Sequence, residues 1–253
     1  MTGDVRRAGG YFLVGALSLI APVLDGATSS RVAAITTVAT FAFVAAVALA
    51  STRGPLFELF ARDSDREEGR LYGLASFALA VAGLAVLLVG FELPTAAFVA
   101  SVFVLTTGNL GQMLVATRLV NPFVVVSAFV VSGMAGAIGA IFLAGTLGAT
   151  TPSLPLATFF AASGALLAAL IRSALHVRDD SLVLLSTGLV IWFLLELGLG
   201  ATTSSTQIAV GLGLTVLLGG LAYGLGTASI TGMLTGVLLA LFAVVLGGYG
   251  WFV

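Results

Sequence analysis

Runs of about 20 apolar residues, each closed by a short polar or Gly/Pro-containing break, repeat along the whole chain, and one helix needs that length to cross the hydrocarbon core of a bilayer. They place spans near residues 9–24, 31–51, 72–91, 94–114, 121–145, 153–175, 181–199, 206–226 and 230–253. The first run is short, so eight or nine crossings are expected. Composition agrees, because 59% of the 253 residues are hydrophobic and 8% charged, against roughly 25% charge in soluble domains. Mean hydropathy is +1.18. The expected fold is an all-α polytopic membrane bundle, since lipid leaves backbone polar groups no partner outside the helix itself. The opening "MTGDVRRAGGYFLVGALSLIAPVLDGA" also has the layout of a signal peptide, but the apolar runs behind it favour its retention as a first span.

Alternating the spans puts Arg6, Arg7, Arg53, Arg62, Arg66, Arg70, Arg118, Arg172 and Arg178 on one side and Arg31 alone on the other. That asymmetry predicts a cytoplasmic amino terminus in a cell membrane, with the charged loops inside. The stretch "ARDSDREEGRLYG" then lies in a cytoplasmic loop from Thr52 to about Leu71, and its seven charged residues are a third of the 21 in the chain.

Absent residue types narrow the chemistry. Without lysine there is no lysine P-loop and no Schiff base. Without cysteine there is no thiol catalysis, thiolate metal site or disulfide. One histidine, His176, cannot build a multi-histidine metal or haem site. With a net charge of −1, charge does not select a partner, and nucleic acid is not expected as one. Ionisable residues sit at span boundaries rather than inside them, which argues against a proton-driven pump. Glycines recur at small-residue spacing in "SGMAGAIGA" (Ser132, Gly136, Gly139) and "TGMLTG" (Gly232, Gly236), a pattern of close helix packing.

Three clusters near the arginine-rich face can carry chemistry: "RDSDREEGRLYG", "TTGNLGQ" with Arg118 after it, and "RSALHVRDDSLVLL". Paired carboxylates there would hold Mg²⁺ against nucleotide phosphates, and arginines would clamp phosphate oxygens. Each cluster also has a plain structural reading. The first is a solvated loop anchoring two spans, the acids of "RDD" cap a helix, Asn109 bonds between helices, and His176 sits at the interface.

The order of these clusters resembles the integral-membrane superfamily of dolichol and phytol kinases and CTP-dependent lipid cytidylyltransferases. "REEGRLYGLASFAL", "GNLGQ", "SGMAGAIGA" and "RDDSLVLL" follow one another across roughly residues 50–200, with Asn109 where that superfamily has Asp and Ser181 where it has Asn. "AYGLGTASITGMLTGVLLALFAVVLGGYGWFV" is similar to the opening helices of the domain-of-unknown-function 92 family, which includes phytyl-phosphate kinase and transmembrane protein 19. Archaeal members carry a kinase-like region before those helices. The resemblance implies a kinase-like region over 1–200 and the start of a second domain over 206–253, as in the amino-terminal half of a longer protein. It also implies phosphoryl transfer from CTP or ATP, with Mg²⁺, to an isoprenoid lipid in the membrane. In that role Asp179 and Asp180 would hold the metal, Arg70 and Arg178 the phosphate, Glu67 or Glu68 would supply a further acid, and Asn109 would contact nucleotide or metal-bound water. The missing carboxylate at position 109 leaves a degenerate, non-catalytic copy as an alternative; a membrane scaffold, which the small-residue packing also fits, and a small-solute carrier are the other classes, and a second copy of the chain in a homo-oligomer is a candidate partner.

Overall fold

The computed structural model describes residues 3–175, 180–199 and 203–248, and within them every regular element is helical. In chain order these are α1 (Gly3–Ala16), a 3-10 turn (Leu17–Leu19), α2 (Ile20–Asp25), α3 (Ser30–Ala50), α4 (Pro55–Phe60), α5 (Asp63–Glu68), α6 (Tyr72–Gly90), α7 (Thr95–Ala116), α8 (Pro122–Thr146), α9 (Leu154–Ala174), α10 (Asp180–Glu196), α11 (Ser205–Gly224) and α12 (Ile230–Gly247). Eight segments are long and apolar enough to cross a bilayer, counting α1 through α2 as one of 23 residues. The 17-residue α10 also runs from one end of the bundle to the other, from Asp180 beside Arg62 and Arg172 to Trp192 against Phe91. The protein is a membrane-embedded helical bundle.

The breaks in the apolar pattern set the helix starts. Ser29, Ser204 and Ser229 each accept a backbone amide of the first turn that follows, Asn121 does the same for Phe123, and prolines occupy the first turns of α4, α8 and α9. The first span starts at Gly3 rather than near residue 9. Asp4 and Arg7 pair at 2.7 Å across one turn, which lets the polar start join the helix. Its tightened turn has a cause in Pro22, which lacks an amide proton and whose ring crowds the carbonyl of Ser18 four residues back.

Two helices form the centre. Every residue of α7 from Ala96 to Thr106 is buried, and α9 is buried along most of its length by alanines and two phenylalanines. Around them α1, α8 and α10 pack on α7, α3 packs on α6, and the α11–α12 pair packs on α9. The outer faces carry exposed Phe43, Leu79, Val131, Phe193, Val216 and Leu239. So much apolar surface is stable in lipid and not in water.

The small-residue motifs divide by position. On α8, a Cβ on Gly133 would lie 2.8 Å from the carbonyl oxygen of Val104, and one on Gly136 would overlap Thr107, so both glycines let α8 lie directly on α7. Gly139, Gly232 and Gly236 meet no neighbouring helix within 4 Å. "GNLGQ" belongs to the same contact, because Gly108 receives the ring of Phe129 and Gly111 receives Ser132.

The charged loop folds into α4 and α5. Asp65 is 2% exposed, and its two oxygens accept the backbone amides of Arg62 and Gly73, each at 3.0 Å. It thereby ties the start of α5 to the first turn of α6. Gly69 ends α5 at φ +70°, a conformation that suits glycine. Asp65→Ala is expected to lower stability by about 1–3 kcal/mol, the cost of leaving such donors unsatisfied. Thermal unfolding in detergent measures it, and an unchanged midpoint would show that water replaces the carboxylate.

Candidate functional site

Alternation of the crossings brings the start of α1, the loop over α4–α5, the carboxyl ends of α7 and α9 and the start of α10 to one end of the bundle. Eight of the nine arginines among the described residues lie there, and Arg31 lies at the other. A cavity of about 270 Å³ opens at this end between Arg7, Tyr11, Arg62, Asn109, Arg172 and Asp180, with Asp4 and Asp63 at its exposed rim.

Its inner wall is a charge cluster contributed by four separate elements. Arg172, in the last turn of α9, has a side chain only 9% exposed. It donates to Asp180 Oδ1 at 3.0 Å, to Asn109 Oδ1 at 3.2 Å and to Gln112 Oε1 at 3.4 Å, and its guanidinium lies 5.0 Å from the centre of the Phe129 ring. Asn109 and Gln112 are three residues apart on α7, which puts both on one face. Arg62 pairs with the other oxygen of Asp180 from the loop before α5. Burial disfavours the Arg62 cation, yet Tyr11 and Asp180 outweigh it and hold its pKa above the usual arginine value. The cation is therefore fixed at every accessible pH.

Tyr11 completes the wall. Its ring is held edge-on by Phe60 and Phe77, each at 5.5 Å, and Arg62 sits over it at 5.4 Å. The residue is 4% exposed, and its hydroxyl has no hydrogen-bond partner among the described residues. Gly73 makes the room, since a Cβ there would lie 3.0 Å from Arg62 Nε and 3.1 Å from Tyr11 Oη.

Of the residues singled out from sequence, Asn109 and Asp180 meet here through Arg172. Glu67, Glu68 and Arg70 are exposed at and just beyond the end of α5 and do not line the cavity. Arg178 and Asp179 lie outside the described residues, as does His176. Ser181, at the position where the kinase superfamily has Asn, bonds Ser76 on α6. Arg62 and Arg172 stood inside the quoted clusters without an individual role, and Tyr11 had no role in the sequence expectation. Arg172 had a readable signal, an arginine just inside the end of an apolar run. Tyr11 had none, because only the packing of α1 against α4 and α6 brings it to the site.

Mg²⁺ fits this donor set poorly. A hard cation needs several open oxygen ligands, whereas both oxygens of Asp180 face guanidinium groups and both of Asp65 accept backbone amides. No group of three acidic or histidine side chains converges among the described residues. The arrangement suits an anion instead. Guanidinium donors of Arg62 and Arg172 flank one carboxylate beside the Tyr11 hydroxyl, within a lining that carries three arginines and three aspartates.

At the opposite end a wider recess of about 470 Å³ lies beside Asp25, Arg31, Glu92 and Thr95, with Thr95 Oγ1 donating to Asp25 at 3.4 Å. Its three charged residues are half-buried or exposed. Comparison with protein-family models, curated proteins and solved structures returns no match for the chain.

Proposed function

We propose that this membrane protein binds a phosphate monoester, or an oxyanion of the same shape, in the cavity at its arginine-rich end. The observation that carries the reading is the pair Arg62 and Arg172 converging on Asp180 next to the Tyr11 hydroxyl, which accepts and donates no hydrogen bond among the described residues. Arginine presents its donors in a planar fork that matches phosphate oxygens, and a charged buried residue at the end of a membrane span is a binding candidate by default. Excess arginine at this end supports a cytoplasmic orientation, so the ligand would arrive from the cytosol or from the inner leaflet. Phosphoryl transfer to an isoprenoid lipid, as the kinase resemblance implies, would use the same clamp. Binding has the stronger support, because the carboxylates of Asp180 and Asp65 are engaged with arginines and backbone amides.

Tyr11→Phe tests the reading without dismantling the site. The hydroxyl has no hydrogen-bond partner among the described residues, so the ligand-free variant is expected to unfold at the wild-type temperature or slightly above it. Inorganic phosphate and methyl phosphate should stabilise the wild type in thermal unfolding, by an amount that grows with the logarithm of concentration above Kd. The variant should bind each about tenfold more weakly, the worth of one hydrogen bond to a charged group. Absence of a shift with either anion, or equal affinity in the two proteins, would sink the proposal.

A further inference from the structure

The wider recess at the opposite end shares no lining residue with the arginine clamp. Its volume of about 470 Å³ falls in the range of small-molecule sites, roughly 300–1,000 Å³. Ala33 and Ala34 of α3 and Leu88 of α6 line it together with Asp25, Arg31 and Glu92. A mostly apolar wall carrying a few polar groups is the usual make-up of such a site.

Each of the three charged residues stands against a local preference. Asp25 ends α2, where the helix dipole favours a cation, and Arg31 is the second residue of α3, where it favours an acid. Arg31 is also the one arginine among the described residues that lies away from the arginine-rich end. Glu92, in the link between α6 and α7, has φ +55°, and no other non-glycine residue among those described has a positive φ. Glycine is the usual occupant of a left-handed position just after a helix. Local rules broken together at one place point to a role in binding rather than in folding.

These charges do not satisfy one another. Among the described residues no ion pair involves Asp25, Arg31 or Glu92. Asp25 accepts a hydrogen bond from Thr95 Oγ1 at 3.4 Å, and Thr95 opens α7, so the amino-terminal ends of α3 and α7 both border the recess. Such ends carry partial positive charge and favour an anion. Opposite charges that line one cavity without pairing are complementary to a ligand that carries both signs.

We infer that this recess binds a small zwitterion, its ammonium facing Asp25 and Glu92 and its anionic group facing Arg31 and the first turns of α3 and α7. An ammonium offers three donors to carboxylates, and a guanidinium takes a carboxylate or a phosphate in its planar fork. A free amino acid and the phosphoethanolamine head of a lipid both have this chemistry. The inference goes beyond the phosphate reading and stands or falls apart from it.

The experiment is calorimetric titration of the full chain in detergent. Its probes are β-alanine and glycerophosphoethanolamine, a soluble diester head group, with ethanolamine and propionate as compounds of one charge each. A zwitterion should bind at least about tenfold more tightly than either single-charge compound, the worth of one added hydrogen bond to a charged group. Arg31 and Glu92 are exposed, so both can be replaced without opening the core. Arg31→Gln should erase the advantage of the zwitterion over ethanolamine. Glu92→Gly should weaken the zwitterion about tenfold, while the ligand-free thermal midpoint holds or rises because glycine suits φ +55°. Binding of β-alanine assigns the site to free solutes, and binding of glycerophosphoethanolamine alone assigns it to a lipid head group. If neither zwitterion exceeds the single-charge compounds, or if its affinity is unchanged in either variant, the inference is wrong.

Discussion

Asp180→Ala should lower the thermal midpoint more than any other single change at the arginine-rich end, at a cost of about 3–5 kcal/mol, as expected when one partner of a buried ion pair is removed. The reason is geometric. Asp180 is 11% exposed and balances two guanidinium groups from different elements, Arg62 before α5 and Arg172 in α9. Without the carboxylate, the 9%-exposed Arg172 side chain loses Asp180 as its anionic partner and retains hydrogen bonds to the neutral oxygens of Asn109 and Gln112. Arg62 suffers less, because its side chain is 27% exposed. Two further readouts separate this from loss of packing. Adding Arg172→Met to Asp180→Ala should restore most of the lost stability, since replacing a whole buried pair by apolar groups is often neutral. Phosphate should stabilise Asp180→Ala more than it stabilises the wild type, because the oxyanion takes the vacated position between two arginine forks. Additive losses in the double variant, or a phosphate shift no larger than in wild type, would count against the cluster as described.

The same residues show what could be read from sequence alone. Helix number and the gathering of arginines at one end were legible because lipid imposes them locally: each span carries its own hydropathy, and each loop its own charge. The site was legible only in outline. Asp180 at the start of an apolar run and Asn109 within one are polar and so drew notice, but their common partner is Arg172, and that meeting depends on how α7, α9 and α10 cross. In the loop, charge density pointed to Glu67, Glu68 and Arg70, which are exposed. Asp65, two residues before Glu67, is the buried acid, and nothing local distinguishes it. Its role is shared between the Arg62 amide three residues back and Gly73 on the next helix, eight residues on. Tyr11 lies still further from prediction, since its neighbours Phe60, Arg62 and Phe77 are remote in sequence.

Gly136→Leu and Gly139→Leu should have opposite outcomes although both glycines belong to "SGMAGAIGA". Gly136 faces α7, where a Cβ would already lie 2.6 Å from Thr107 Cβ, an atom fixed to the backbone and unable to rotate away. Leucine there forces α8 off α7 and breaks the hydrogen bond from Thr107 Oγ1 to the carbonyl of Ser132 at 3.0 Å. It also draws Phe129, one wall of the Arg172 pocket, away from Gly108. The cost should exceed about 3 kcal/mol, the upper part of the range for overpacked cores, and phosphate stabilisation should be lost with it. Gly139 is exposed, with open space around it, so leucine there presents one more apolar side chain to lipid. Its effect should stay within about 0.5 kcal/mol. Thermal unfolding of the two variants side by side decides the matter, because propensity and hydropathy change identically and only the facing helix differs. Equal effects would mean that small-residue spacing, and not contact with α7, is what the motif supplies.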